Sequence, residues 1–195
     1  REGQIKKTPL ASFSNPRRDG IIAMNLPADD SLIEAGFSDG TCDIMLATRK
    51  GQAVRFPEST VRSMGRTAYG VRGVNLAKGD YVVSAVVVKR ESTLLTVTEN
   101  GYGKRSDIAD YRVTNRGGKG VINIRASERN GEVVVVKEVV DDDELLLISQ
   151  RGIVNRIAVS SIRSIGRATQ GVRLMGLRAG DKVIDVARVP ASEKV

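Results

Sequence analysis

The chain has 195 residues, of which 41% are hydrophobic and 28% are charged, with a formal charge of +8 and a pI near 9.9. This composition is ordinary for a globular protein rather than typical of a disordered one, and no apolar run approaches the roughly 18 residues of a membrane-spanning helix. The charge favours an anionic partner, either nucleic acid or a membrane surface, while the absence of histidine and the single cysteine, Cys42, exclude a zinc site. Arg1 opens no signal peptide, so we expect a soluble protein, cut from a longer chain.

Short β-strand patterns follow one another along the chain, separated by turn residues. In the second quarter they are QAVRF (52–56), YGVRGVNL (69–76), YVVSAVVVK (81–89) and STLLTVTEN (92–100), all rich in valine, leucine or threonine. Further on, EVVVVKEVV (132–140) and LLLISQ (145–150) flank an acidic turn of Asp141, Asp142, Asp143 and Glu144. The segments VRSMGR (61–66) and IRSIGR (162–167) predict at most a turn or two of helix.

These patterns recur as four copies of a unit about 50 residues long. One glycine series precedes a β-branched residue in each copy, and a second series stands four residues before a base; the glycines are Gly20, Gly70, Gly120, Gly171 and Gly3, Gly51, Gly101, Gly152. The predicted copies cover residues 1–50, 51–100, 101–151 and 152–195. About four strands per copy predict one all-β domain, built as a propeller-like or solenoid array and continuing beyond this segment. The lack of tryptophan and histidine excludes WD40 blades.

Charge is segregated within each copy. The first halves are basic and the second halves lean acidic, so equivalent positions in a radial array should form one positive band. Arginine suits phosphate oxygens, and glycines beside the arginines, as in MGRTAYG, NRGGKG and IGRATQG, would let main-chain N–H groups approach a phosphate. The predicted DNA-binding residues are Lys7, Arg17, Arg18, Arg55, Arg62, Arg66, Arg72, Lys104, Arg105, Arg112, Arg116, Lys119, Arg156, Arg163, Arg167 and Arg173.

The repeated G-R-x-x-x-G-V-R pattern, NGYGKRSDIADY (100–111) and TRKGQAVRF (48–56) resemble the C-terminal domain of DNA gyrase A over essentially the whole chain. The resemblance implies a β-pinwheel, a propeller-like spiral of four-stranded blades in which neighbouring blades exchange a strand. It also implies that duplex DNA wraps around a basic outer rim to support ATP-dependent negative supercoiling. The implied partners are double-stranded DNA, the rest of gyrase A and the gyrase B protein, in a bacterial cytoplasm and without a membrane.

The family carries a basic box, Q-R-R-G-G-K-G, in its first blade. Its nearest match here is residues 114–120, TNRGGKG, which keeps the glycines and the lysine but not the leading Gln-Arg. Because this match stands in the third copy, we interpret it as an ordinary blade loop and expect the box itself upstream of Arg1. The related C-terminal domain of topoisomerase IV, which has a degenerate box, is the nearest alternative in the family.

We predict no catalytic residue and no metal site in this segment. The resemblance places the cleaving tyrosine, ATP and magnesium on other parts of the complex, so Tyr69, Tyr81, Tyr102 and Tyr111 are expected in strands and repeat positions. NRGGKG lacks the spacing and the Ser or Thr of a P-loop. The alternatives from other classes are a propeller-like protein-interaction module, which would bind an acidic protein, and a free-standing enzyme, for which no acid-base pair is found. The alternative for each single base is that it only keeps an exposed strand soluble and binds no partner.

Overall fold

A computed structural model describes residues 1–89 and 91–191 of the chain. Within these residues the regular structure consists of β-strands and short 3-10 turns, which confirms the all-β prediction, and no helix is long and apolar enough to cross a membrane. The strands are β1 Gln4–Ile5, β2 Asp43–Thr48, β3 Gln52–Pro57, β4 Val71–Arg72, β5 Val82–Val88, β6 Thr93–Thr98, β7 Tyr102–Asp107, β8 Val121–Ile122, β9 Val133–Val139, β10 Glu144–Ser149, β11 Val154–Ala158, β12 Val172–Arg173 and β13 Val183–Val189. The 3-10 turns are Leu10–Phe13, Glu58–Thr60, Ile108–Asp110 and Val159–Ser161.

The strands form antiparallel sheets that repeat along the chain as blades. The second blade has the strand order β5-β2-β3-β8, and the third has the order β9-β6-β7-β12. The fourth contains β13-β10-β11, and the first contains the pair β1-β4. Four strands in the second and third blades confirm the number predicted from the sequence.

The outer strand of each of these blades comes from the next copy of the repeat. Gln52 of β3 pairs with Ile122 of β8, and Gly103 of β7 pairs with Val172 of β12. In the same way β4 pairs with β1. This exchange is the strand swap that the resemblance implies, and it links successive blades through main-chain hydrogen bonds.

The apolar core lies between neighbouring blades. Met45 and Val86 of the second blade pack with Leu94 of the third, and Val97 of the third blade packs with Leu147 of the fourth. The central strands β2 and β6 are covered on both faces, so their burial is nearly continuous. At the end of the array β11 alternates between exposed and half-buried residues, because a neighbouring blade covers only one of its faces.

Two glycines of the second predicted series lie in the tight turns between the two central strands of a blade. Gly51 and Gly101 have φ values of +85° and +80°, which favour glycine. A Cβ atom on Gly51 would stand 2.3 Å from the carbonyl oxygen of Ile124, and one on Gly101 would stand 2.4 Å from that of Met175. The series therefore marks the places where the next copy of the repeat crosses the turn.

Three glycines of the first series lie against the preceding blade. A Cβ on Gly70, Gly120 or Gly171 would lie 2.6, 2.3 or 2.7 Å from a main-chain oxygen of the preceding blade. A Cβ on Gly65 or Gly166, which stand beside the arginines of MGRTAYG and IGRATQG, would meet nothing within 4 Å, so the expectation that such glycines let main-chain N–H groups approach a phosphate stays a prediction. Gly70, Gly120 and Gly171 face the neighbouring strand. They permit close contact between blades.

The period of the repeat matches the blades, but the periodicity alone does not fix where a blade begins. Boundaries predicted after residues 50, 100 and 151 fall in the turns between the two central strands, and each of the later blades starts at β2, β6 or β10. The run 69–76, predicted as one strand, contains only the two residues of β4. Residues 192–195 of the predicted fourth copy lie outside the described residues.

Candidate nucleic-acid interface

The outermost part of the array consists of the short strands β4, β8 and β12 and the loops that precede them. We call residues 61–70, 111–120 and 162–171 the rim loops. The long strands β5, β9 and β13 contact one another at the opposite, inner side of the blades. The rim loops of the third and fourth copies lie beside the strand next to the outer strand of the preceding blade, which is β3 or β7. The parallel bridges Arg55–Val113 and Arg105–Ser164 show this placement.

One arginine on each rim loop points away from the protein. Arg62, Arg112 and Arg163 occupy equivalent positions, and all three are exposed. Each follows a buried residue that anchors the loop, namely Val61, Tyr111 or Ile162. Within residues 1–89 and 91–191, the side chains of these arginines make no hydrogen bond or ion pair. They form a row of available guanidinium groups, one per rim loop.

Further predicted bases flank this row. Arg72 and Arg173 lie on the outer strands β4 and β12, and Lys119 precedes β8; all three are exposed. The guanidinium of Arg173 donates to the hydroxyl of Tyr102 over 3.3 Å. Arg17 and Arg18 are exposed in the first copy, outside any strand.

A second arginine on each rim loop points back to the protein. Arg66, Arg116 and Arg167 are half-buried, and each donates to a main-chain carbonyl of the preceding copy. These arginines are brought to the rim as predicted, but their guanidinium groups already have acceptors.

Two predicted bases, on strands β3 and β7, make contacts inside the protein. Arg55 pairs with Asp43 over 2.8 Å and donates to the carbonyl of Ile108, while Arg105 pairs with Asp141 and donates to the carbonyl of Ile162 over 2.8 Å. In each case the arginine ties its strand to the turn that starts the next rim loop.

Two predicted phosphate ligands are inaccessible. Lys104 is fully buried and Arg105 is 7% exposed, since the rim loop of the fourth copy covers both. Lys104 donates to Ser106 and to the carbonyl of Gly166, and burial lowers the pKa of its ammonium group to about 8. Their assignment to the DNA-binding set is contradicted, because the sequence does not reveal which segment lies over a strand.

Two more predicted bases also have partners inside the protein. Lys7 pairs with the buried Glu58 over 3.4 Å, and the Nε of Arg156 donates to Glu144 over 2.7 Å. Arg156 lies on β11 and is exposed, because no rim loop covers this strand in the described residues. Together with Arg55, Lys104 and Arg105, these bases are distinct from the row on the rim.

Acidic side chains are concentrated away from the rim. Asp39, Asp43, Asp107 and Asp141 line an open cleft between the second and third blades, at the ends of the strands. Asp39, Asp43 and Asp141 belong to the acidic halves inferred from the sequence, whereas Asp107 belongs to a basic half. The placement of all four leaves the rim itself predominantly positive.

A cluster that the sequence analysis missed lies near this cleft. Carboxylate oxygens of Asp39 and Glu58 and the sulfur of Cys42 lie within 4.8 Å of one another. Ser38 and Gly40 donate to Glu58, and donors on Thr41 hold the pKa of Asp39 at about 2. These hydrogen bonds explain the cluster as a capped turn.

Besides Tyr102, two of the tyrosines make hydrogen bonds within the protein, and another is exposed on the rim. Tyr111 is buried and donates to Asn123 over 2.5 Å, and burial raises the pKa of its hydroxyl. Tyr81 contacts Arg49 through its hydroxyl, and Tyr69 is exposed on a rim loop.

The blade boundaries agree with a known protein family. The profile of the DNA gyrase C-terminal domain, beta-propeller, matches residues 1–36, 43–89, 92–139 and 143–190, and the last three segments begin at or next to the first strand of a blade. The chain belongs to the DNA gyrase C-terminal domain family.

Individual members of the family agree with this assignment. The DNA gyrase A protein of Haloquadratum walsbyi is 47% identical over 193 residues, which cover 98% of this chain and 22% of that protein. A crystal structure of the C-terminal domain of DNA topoisomerase IV superposes with a TM-score of 0.93 at 28% identity, covering all of this chain and 61% of that one. A DNA gyrase A C-terminal domain gives a TM-score of 0.86 at 29% identity, covering 96% and 62%. The chain thus spans about a fifth of the curated relative and three fifths of the solved domains.

Proposed function

We propose that this chain is a non-catalytic domain that binds duplex DNA along its rim and bends it around the blades. In the whole protein it would serve as the DNA-wrapping part of gyrase A. The observation that carries the proposal is the row formed by Arg62, Arg112 and Arg163. Their three exposed guanidinium groups have no partner in the described part of the chain and repeat at equivalent positions, which suits a ligand whose negative charges also repeat along a curved path.

Bending sets a minimum on the contact that the rim must provide. Curving 20 to 30 base pairs by 40 to 90° costs about 1 to 6 kcal/mol by elastic estimates. A single rim loop with one or two accessible bases is too small a contact to offset this cost, so several blades must bind DNA at once. The exposed bases beside the row, including Arg72, Lys119 and Arg173, would extend the contact on each blade.

The contacts available are those of phosphate binding. The rim offers arginine and lysine side chains on short strands and loops, and no helix in the described residues is available to enter a major groove. Binding should therefore be nearly independent of sequence and strongly dependent on salt. In the complex, gyrase B and the rest of gyrase A would supply ATP hydrolysis, magnesium and strand cleavage, in the bacterial cytoplasm.

The test is a triple variant, Arg62→Gln/Arg112→Gln/Arg163→Gln, compared with the wild type in binding to a duplex of about 100 base pairs across a salt series. Each lost phosphate contact should reduce the slope of log affinity against log salt by about 0.9, so the full variant should lose about 3. The matched control is Lys50→Gln/Arg151→Gln/Arg178→Gln, which removes equal charge from exposed positions in turns at the ends of strands. Equal slopes for the two variants would contradict the assignment of the row.

A second function is favoured by the close superposition on the topoisomerase IV domain. A domain of that kind would bind DNA and direct substrate choice without wrapping. Relaxed plasmid religated on the bound protein distinguishes the two: acquired writhe supports the gyrase-like function, and binding without writhe supports the topoisomerase IV-like one. Binding to an acidic protein, with no affinity for DNA, would instead indicate a protein-interaction module.

A further inference from the structure

Arg66, Arg116 and Arg167 make the same contact in three successive copies of the repeat. The Nη1 atom of each donates to a main-chain oxygen 44 or 45 residues earlier in the chain, over 3.1, 2.9 and 3.0 Å. The acceptors are Ile22, Arg72 and Ile122, equivalent positions that are the second residues of β4 and β8 in the later two copies. A contact repeated in register is a regular part of the blade rather than an accident of one loop.

The contact joins adjacent rim segments. Arg116 belongs to one rim loop, and its acceptor Arg72 lies on the outer strand of the copy before it. Its Nε atom also donates to the carbonyl of Thr60 over 3.0 Å, so one planar guanidinium bridges two carbonyls of the preceding copy. The fixed fork of donors in arginine suits such a bridge, because both bonds are held by one rigid group.

Main-chain hydrogen bonds beside Arg116 strengthen the same junction. Gly117 donates to the carbonyl of Gly73 over 2.7 Å, and Asn75 donates to the carbonyl of Gly118 over 2.9 Å. The next junction has an equivalent bond, from Arg125 to the carbonyl of Thr169, also at 2.9 Å. These rim loops are therefore pinned to the outer part of the preceding copy, close to their exposed arginines.

We propose that Arg66, Arg116 and Arg167 are positioning residues that fix the spacing and direction of successive rim loops, rather than ligands of phosphate. These three residues are half-buried and their guanidinium groups donate to main-chain acceptors, whereas Arg62, Arg112 and Arg163 on the same loops are exposed and make no such bond within the described residues. We call Arg66, Arg116 and Arg167 the inner set and Arg62, Arg112 and Arg163 the outer set. The inner set holds the rim loops, and with them the outer set, at regular intervals along the rim. This inference rests on the proposed function, because it concerns how a row of phosphate contacts imposes curvature on DNA.

The two sets differ in the effect expected from one chemical change. Replacing the inner set by Arg66→Gln/Arg116→Gln/Arg167→Gln removes three positive charges, the same number that the outer triple variant removes. If the inner set positions the loops, its loss should lower the writhe per bound domain more than about twofold at saturating protein while reducing the salt slope by less than about 1, whereas the outer variant should reduce the slope by about 3. An equal loss of slope in the two variants would overturn the proposal and identify the inner arginines as phosphate ligands.

A measurement without DNA separates this proposal from the proposed function. Amide hydrogen exchange at Gly117 and Asn75 should accelerate at least about tenfold in the inner variant, because local opening becomes easier, and remain unchanged in the outer one. That result would stand even if the wild type bound no DNA, in which case the proposed function alone would fail. Unchanged exchange at both amides would overturn the positioning role. If the inner triple variant does not fold, the single variants Arg116→Gln and Arg112→Gln are compared instead, by the salt slope of DNA binding and by amide exchange at Gly117 and Asn75.

Discussion

Gly51→Ala is a direct test of the strand-exchange architecture. Gly51 lies in the turn between β2 and β3 with a φ of +85°, where alanine is disfavoured by about 1 to 2 kcal/mol. Its Cβ would also lie 2.3 Å from the carbonyl oxygen of Ile124, which belongs to the next copy of the repeat. Because the obstacle is main chain rather than a flexible side chain, the segment that follows β8 must itself move.

The cost of that movement follows from the contacts it breaks. Asn123 and Ile124 both donate to the carbonyl of Gly51, over 2.8 and 3.2 Å. Losing one such bond costs about 1 kcal/mol, and displacing the buried Ile124 costs about 1 kcal/mol more. With the backbone term, the expected loss in the free energy of unfolding is about 3 to 4 kcal/mol.

The chain offers a matched control in Gly152. This glycine occupies the equivalent turn of the fourth blade with a φ of +80°, but no atom of the described residues lies within 4 Å of its Cβ position. Gly152→Ala should therefore cost only the backbone term, about 1 to 2 kcal/mol. Urea unfolding followed by circular dichroism measures both variants, and a difference of about 2 kcal/mol corresponds to a shift of about 1 M in the midpoint. Equal losses for the two variants would refute the reasoning that the crossing segment after β8, rather than the turn itself, requires Gly51.

Two further predictions concern the polar interior of the third blade. Because burial lowers the pKa of Lys104 to about 8 from 10.5, with Asp110 and Arg167 nearby, the folded protein releases this proton before the unfolded chain does. Wild-type stability should rise between about pH 8 and 10.5, by at most about 3 kcal/mol, and Lys104→Met should lack this rise; parallel pH profiles in urea unfolding would contradict it. Tyr111→Phe removes the donor to Asn123 and should cost about 1 to 2 kcal/mol in thermal or urea unfolding. The exposed Tyr69 is its control, since Tyr69→Phe should change stability by less than about 0.5 kcal/mol, and similar losses for both would exclude the buried hydrogen bond as the cause.

Several features of the fold were predictable because they depend on local sequence. The strands 81–89 and 92–100 were placed within a residue or two of β5 and β6, since valine-rich and threonine-rich runs between turn residues favour extended backbone. The acidic stretch from Asp141 was correctly predicted as a turn region between two strands, although Glu144 already belongs to β10. The short length of β4 was not predicted, because residues 73–76 have the composition of a strand but no neighbouring strand in the described residues pairs with them along their whole length.

The candidate site divides in the same way. The repeat predicts that Arg62, Arg112 and Arg163 occupy equivalent positions, because a repeat places equivalent residues in equivalent surroundings, and all three are exposed in the structure. It could not distinguish them from Arg66 or from Lys104. The partner of each lies in another copy of the repeat, and nothing in the local pattern states which carbonyl or loop will be there.

By itself, the sequence determined the all-β class, the period near 50 residues, the separation of charge within each copy and the family resemblance. Only the tertiary structure decided the start of each blade, the exchange of outer strands and the contacts of each base. The physical reason is the range of the interactions. Strand propensity, turn residues and charge are properties of a few neighbouring residues. Burial of Lys104, the close approach at Gly51 and the acceptor of Arg116 arise between segments that meet only when one blade packs on the next.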